Sequence, residues 1–125
     1  MNLKEKTMQL KNWAVVGATN KKNKFGYLIP LRLKENDYQV YPVNPKLEEV
    51  AGLKCYSSLN SIKSKIDVVD LVVNPEIGIK VMEEIKQLDI KYVWLQPGAR
   101  SDQIKEYAKK HQIEIIESCI YASLS

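Results

Sequence analysis

Histidine occurs once in this 125-residue chain, at position 111, while cysteine occurs twice, at 55 and 119, and arginine twice, at 32 and 100. The two thiols lie far apart in no metal-type spacing, and one imidazole cannot complete a zinc site with them. No metal site is therefore expected, and reduced thiols fit a cytosolic compartment. Long apolar runs are missing too: nothing approaches the roughly eighteen residues that cross a bilayer, and Met1-Asn2-Leu3-Lys4-Glu5-Lys6 leads into no signal-peptide core. The expectation is a cytoplasmic protein with no membrane association. The net charge of +4 is local. Residues 1–24 hold six lysines against one glutamate, and the remainder holds thirteen basic against fourteen acidic residues. A nucleic-acid binder spreads its cations along a face and favours arginine, so nucleic acid is not an expected partner.

Several catalytic and cofactor patterns are also absent. No three glycines stand in the G-x-G-x-x-G spacing of a dinucleotide fingerprint, and no P-loop G-K-[ST] occurs. No serine or cysteine sits in a nucleophile elbow, and no tyrosine is followed four places later by lysine as in a short-chain reductase. His111 falls on the apolar side of a helical stripe, where a packed imidazole is a better reading than a general base. No catalytic residue is assigned.

The composition, 45% hydrophobic and 27% charged, is that of one soluble globular domain. Residues 1–12 read as a polar lead-in and residues 13–125 as the domain. Within it, β-branched runs alternate with segments of helical period, which is the pattern of βαβ units and a parallel sheet. Five strands are expected, at 13–16, 39–43, 67–73, 91–95 and 113–116. Ile77, Val81, Met82, Ile85 and Leu88 form one apolar helical stripe, and Ile104, Tyr107, Ala108 and His111 another. Ser101 and Asp102 mark the start of the later helix. The helix after the first strand has a face in Phe25, Leu28, Ile29 and Leu33, but Pro30 implies that it starts late or bends. Residues 47–66 read as a connection with a short helix after Ser58. The expected fold is α/β: a Rossmann-like open parallel five-stranded sheet, order 3-2-1-4-5, with helices on both faces.

In such a sheet ligands sit at the carboxyl edge, where the chain changes direction. The loop after the first strand, Gly17-Ala18-Thr19-Asn20-Lys21-Lys22-Asn23-Lys24-Phe25-Gly26-Tyr27, offers close backbone approach, a helix amino terminus and three lysines, which suits a pyrophosphate. A β-branched residue at 17 is expected to block binding and leave the fold intact. The second strand ends in Val43-Asn44-Pro45-Lys46, where an NAD site would place an acid. A lysine there favours an extra ribose phosphate, either the 2′-phosphate of NADP or the 3′-phosphate of coenzyme A. Asn74-Pro75 after the third strand and Gln96-Pro97-Gly98 after the fourth lie on the same edge and suit an amide-bearing arm.

These blocks, together with Gly52-Leu53-Lys54-Cys55-Tyr56-Ser57-Ser58-Leu59, Ile66-Asp67-Val68-Val69-Asp70 and the late Cys119, resemble the stand-alone CoA-binding domain proteins. They also resemble the amino-terminal domain of the succinyl-CoA synthetase alpha subunit. The likeness covers residues 13–120 and implies a Rossmann-like domain holding extended coenzyme A. The pyrophosphate would meet Gly17, Ala18, Thr19 and Asn20, with Lys24, Gly26 and Tyr27 completing that loop. Asn44, Pro45 and Lys46 would meet the adenosine end, while Asn74, Pro75, Gln96, Pro97 and Gly98 would flank pantetheine. The resemblance implies a CoA or acyl-CoA binding protein without chemistry of its own, acting as a homo-oligomer or beside a larger acyl-CoA enzyme. The residues alone leave open a small NADP-dependent oxidoreductase, or a partner-binding module with a vestigial crevice.

Overall fold

The computed structural model describes residues 1–124; Ser125, the last residue of the expected domain, lies outside the described residues. A helix α1 (Leu3–Met8) precedes strand β1 (Asn12–Val16), helix α2 (Phe25–Glu35) and strand β2 (Gln39–Val43). A hairpin of β3 (Glu49–Val50) and β4 (Leu53–Lys54) and a single 3₁₀ turn at Leu59–Ser61 lead to β5 (Val68–Leu71). There follow α3 (Pro75–Gln87), β6 (Tyr92–Leu95), α4 (Asp102–Lys110), β7 (Glu114–Ile116) and α5 (Ile120–Ser123). The five expected strands are β1, β2, β5, β6 and β7, all parallel. Among the described residues no helix is long and apolar enough to cross a membrane.

Strand alternation sends successive side chains to opposite faces and so builds two cores. Trp13 and Val15 pack with Ile29 and Leu33 of α2 and Ile120 of α5. Ala14 and Val16 pack with Met82 and Ile85 of α3 and Ile104 and Ala108 of α4. The segment before β1 is tied into the first core: the Thr7 hydroxyl accepts from Trp94 Nε1 at 2.9 Å, and the Leu10 carbonyl accepts from Trp13 Nε1 at 2.7 Å. The later helices begin as their caps dictate, with Asn74 Oδ1 accepting from Ile77 N at 3.0 Å and Ser101 Oγ from Ile104 N at 3.1 Å.

The strand order differs from the expected 3-2-1-4-5. It is β2-β1-β5-β6-β7, or 2-1-3-4-5 among the five main strands. Two residues account for this. Pro42 lacks a backbone donor and so belongs on an edge strand, whereas the expected order puts β2 in the interior. Its carbonyl faces outward, accepting from Tyr56 N at 2.8 Å, so the missing donor lies on the free edge. All four β5 residues are buried, including Asp70, as befits a strand with neighbours on both sides. The switch point therefore lies between β1 and β5 rather than between the first and fourth strands.

Helix α2 starts at Phe25, so Pro30 does not delay it; the proline sits inside. An ordinary residue at 30 would donate to the Gly26 carbonyl. Pro30 leaves that oxygen free, and Thr19 N donates to it instead at 3.2 Å. The residue that looked disruptive thus ties the loop after β1 to the helix it leads into.

Candidate functional site

The carboxyl ends of β2, β1 and β5 and the start of α3 enclose a cavity of about 310 Å³. Val16, Val43, Pro45, Val73, Ile77 and Val81 give it apolar walls, and Gly17, Asn44, Ser57, Ser58 and Glu84 complete the lining. One wall is unusually tight. A Cβ at Gly17, where φ is +102°, would stand 2.6 Å from the Val72 carbonyl oxygen and 2.9 Å from Val73 Cγ1. The glycine is therefore required by the junction of β1 and β5 itself, and a β-branched residue there would disturb the fold, not only the ligand.

The loop beyond Gly17 is held by its own polar groups. Gly17 N and Ala18 N both donate to the Val43 carbonyl at 3.2 Å, and Asn44 Nδ2 donates to the Ala18 carbonyl at 2.8 Å. Asn20 Nδ2 donates to the Glu49 carbonyl at 2.9 Å, anchoring the loop to the hairpin. Ala18 is buried with Val50 and Cys55, with Tyr27 packed against them. Gly26 meets Gly17 closely enough that a Cβ would collide with the Gly17 oxygen. Lys24 precedes α2 in extended conformation with no side-chain cap, which leaves the amides of Phe25 and Gly26 without an acceptor among the described residues. Exposed Lys21, Lys22 and Lys24 lie in the loop that leads directly into that turn. Free first-turn donors, the positive end of a helix and three cations together favour an anion.

On the other side, Asn44 Oδ1 accepts from Lys46 N at 2.8 Å, a tight turn that exposes Pro45 and Lys46. Lys46 and Lys54 line a neighbouring cavity of about 530 Å³ beside buried Cys55. Burial pushes the Cys55 thiol above its ordinary pKa and leaves it a poor nucleophile. Asn74 and Pro75 cap α3, and Pro97 and Gly98 lie exposed after β6, on the same edge but outside the lining of the apolar cavity. Gln96 is placed differently: its side chain is buried and donates to Asp70. His111 closes α4 with its ring 4.4 Å from that of Tyr107, and burial followed by Lys86 and Lys110 holds its pKa below the ordinary value. It takes no part in the site.

Sequence reasoning missed Ser57, Ser58, Val73, Ile77, Val81, Glu84 and Lys54. Ile77 and Val81 belong to the apolar stripe of α3, yet Ile77 is 48% exposed. An apolar residue in the first turn of a helix at the switch point is the signal that was available. Glu84 is the one carboxylate in the lining, and its Oε2 accepts from Asn60 N at 3.2 Å and Asn60 Nδ2 at 2.6 Å.

A doubly wound sheet with a cationic, glycine-bearing first turn and an apolar cavity at its switch point is a Rossmann-like ligand-binding domain. Residues 11–125 match the CoA binding domain family, and the chain belongs to that family. It is 34% identical over 114 residues to an ADP-forming acetate–CoA ligase of Methanocaldococcus jannaschii, covering 85% of this chain and 16% of the ligase. The chain thus spans about a sixth of that relative's length. It is 29% identical to the uncharacterized protein YneT of Bacillus subtilis, covering 94% of this chain and 88% of YneT. The solved structure of a conserved hypothetical protein from Pyrococcus furiosus superposes with a TM-score of 0.86 at 35% identity, covering 91% of this chain and 99% of that one.

Proposed function

We propose that this chain binds coenzyme A and performs no bond-making step of its own. The observation that carries the reading is the apolar cavity at the β1–β5 switch point, with Lys46 in the adjoining cavity that shares Pro45 and Ser57 with it. The purine fits between Pro45, Val73 and Ile77. The pyrophosphate is held by the uncapped first turn of α2 with Lys24. The 3′-phosphate is held by Lys46, with Lys54 as a second cation beside it. Asn74, Pro75, Pro97 and Gly98 border the path of the pantetheine arm. The chemistry supplied by the bound group is that of its thiol, which carries acyl groups as thioesters. The protein's residues grip the phosphates and exclude water from the base. Glu84 is already committed to Asn60, and Cys55 is buried, so neither offers a free acid, base or nucleophile to that cavity. Similarity to ADP-forming ligases of about six times the length supports a role in presenting coenzyme A to a larger acyl-CoA enzyme.

Thermal shift and calorimetry with CoA, dephospho-CoA, NADPH and NADH test this reading. CoA should protect most, and dephospho-CoA should bind about ten- to a hundredfold more weakly, the scale of about 1.5–3 kcal/mol for a charged hydrogen bond. Lys46→Ala should shrink that difference severalfold, leaving what Lys54 supplies. Equal protection by NADPH, or none by CoA, would overturn the proposal.

A further inference from the structure

Beneath the crevice floor lies a buried polar pair that the site does not use. Alternation along β5 puts Asp70 on the same face as Val68, within the core of Trp13 and Val15, and Gln96 follows β6 on that face beyond Trp94. Asp70 is 0% exposed and Gln96 1%. Gln96 Nε2 donates to Asp70 Oδ1. Two atoms are then left over, Asp70 Oδ2 and Gln96 Oε1, both buried and both without a hydrogen-bond partner among the described residues. As a carboxylate and an amide they are both acceptors and cannot satisfy one another. A single proton on Oδ2 turns it into a donor for Oε1 and closes a two-bond ring between a carboxylic acid and a primary amide.

We propose that Asp70 is held as the neutral acid in this ring, and that the acid–amide pair positions the crevice edge formed by the ends of β5 and β6, so that ligand affinity falls when the proton is lost. The surroundings favour the neutral form. Burial pushes the Asp70 carboxyl up to about 8, while the Gln96 donor pulls in the other direction. Among the described residues no cation pairs with Asp70 to offset the burial. Of the ionisable groups on elements packed against this face, Lys6 of α1 lies 5.4 Å over the Tyr92 ring, and Tyr38 donates to the Met8 carbonyl. Arg32 of α2 donates to the Tyr121 and Leu124 carbonyls at 3.2 and 2.7 Å. Those three, with Cys119 and Tyr121 at α5, make no hydrogen bond or ion pair to Asp70.

The pair reaches the crevice through the backbone. Gln96 N donates to the Leu71 carbonyl at 3.3 Å, and the Gln96 carbonyl accepts from Ala99 N at 2.9 Å, closing the Pro97–Gly98 turn. Three residues beyond Asp70, Val73 forms a cavity wall. When Oδ2–H gives its proton to solvent hydroxide, one bond of the ring is lost and a charge is left facing the amide oxygen. The side chains of the two crevice segments are then joined through the Nε2–Oδ1 bond alone.

Carbon-13 labelling of the aspartate carboxyls of the whole chain tests the protonation without any ligand. One carboxyl carbon should titrate near pH 8, and the Gly98 and Ala99 amide signals should move on the same curve. The second arm rests on the coenzyme A reading: affinity for CoA should fall about five- to tenfold between pH 7 and pH 9 in the natural protein. In Asp70→Asn, whose amide keeps a donor without a titrating proton, that fall should be absent. If every carboxyl titrates below pH 6, or Gly98 shifts identically in Asp70→Asn, the proposal fails. Should Asp70→Asn not fold, the wild-type carboxyl titration decides alone. A failure of CoA to bind would defeat only the coenzyme reading, because the carboxyl and Gly98 signals report on the pair directly.

Discussion

At position 17 the backbone is left-handed and the nearest foreign atom to a side chain would be the carbonyl oxygen of Val72, just past the end of β5. Gly17→Ala therefore strains the protein before any ligand arrives, at a cost of about 2 kcal/mol or more. The expected outcome is a lowered Tm together with lost CoA binding, read by scanning calorimetry and titration; an unchanged Tm would show that β1 and β5 can separate freely. Ala51 is the opposite case. It stands at φ +53° before Gly52 at φ +77° in the turn joining β3 to β4, the geometry that Asn-Gly prefers. Ala51→Asn should raise stability by about 0.5–1 kcal/mol in chemical denaturation. The turns at Gly17 and at Asn44–Lys46 were legible in the sequence because turn chemistry announces itself locally. Ile77, Val81 and Glu84 were not, because a residue on a helical stripe reads as core until the fold shows which end of the stripe overhangs the crevice.

For whole elements, the strand and helix periods carried through. The structure has the five expected strands, β5 shorter than the expected 67–73, and both striped helices. The hairpin of β3 and β4 was not legible, since two-residue strands carry no period and Ala-Gly is a weaker turn signal than Asn-Gly. Strand order was misread although Pro42 held the clue. Pro30 makes a prediction at this scale. Pro30→Ala restores a donor that competes with Thr19 for the Gly26 carbonyl. The helix should tolerate it, while the Thr19 amide exchanges faster with solvent and CoA binds more weakly. Unaltered exchange at Thr19 would sink that account. Arg32 fastens α5 to α2 by two carbonyl bonds and by lying 3.9 Å over the Tyr121 ring. Arg32→Ala should cost about 1.5–3 kcal/mol and release α5 to rapid exchange.

For the molecule as a whole, Asp70 sets how stability follows pH. In the unfolded chain this carboxyl ionises at its ordinary 3.8, and in the folded chain at about 8. Between those values folding takes up a proton, so the stability contributed by neutral Asp70 is fully present below pH 4 and is lost as the pH climbs to 8. The loss is on the order of 5 kcal/mol for a fully buried group. Denaturation at pH 5 and pH 8 should show the natural protein losing stability that Asp70→Asn retains. This is the reverse of the acid sensitivity that salt-bridged carboxylates confer.

The outer margin of β2 has a further consequence. Pro42 offers no donor there, Tyr56 N already donates to the Pro42 carbonyl at 2.8 Å, and the Tyr56 carbonyl accepts from Asn44 N at 2.9 Å. A foreign strand arriving at that side finds no ladder to extend, and at the opposite margin β7 is three residues long with Glu114 exposed. Concentrated solutions should therefore resist fibril growth by sheet-to-sheet addition, the failure to which open parallel sheets are otherwise prone.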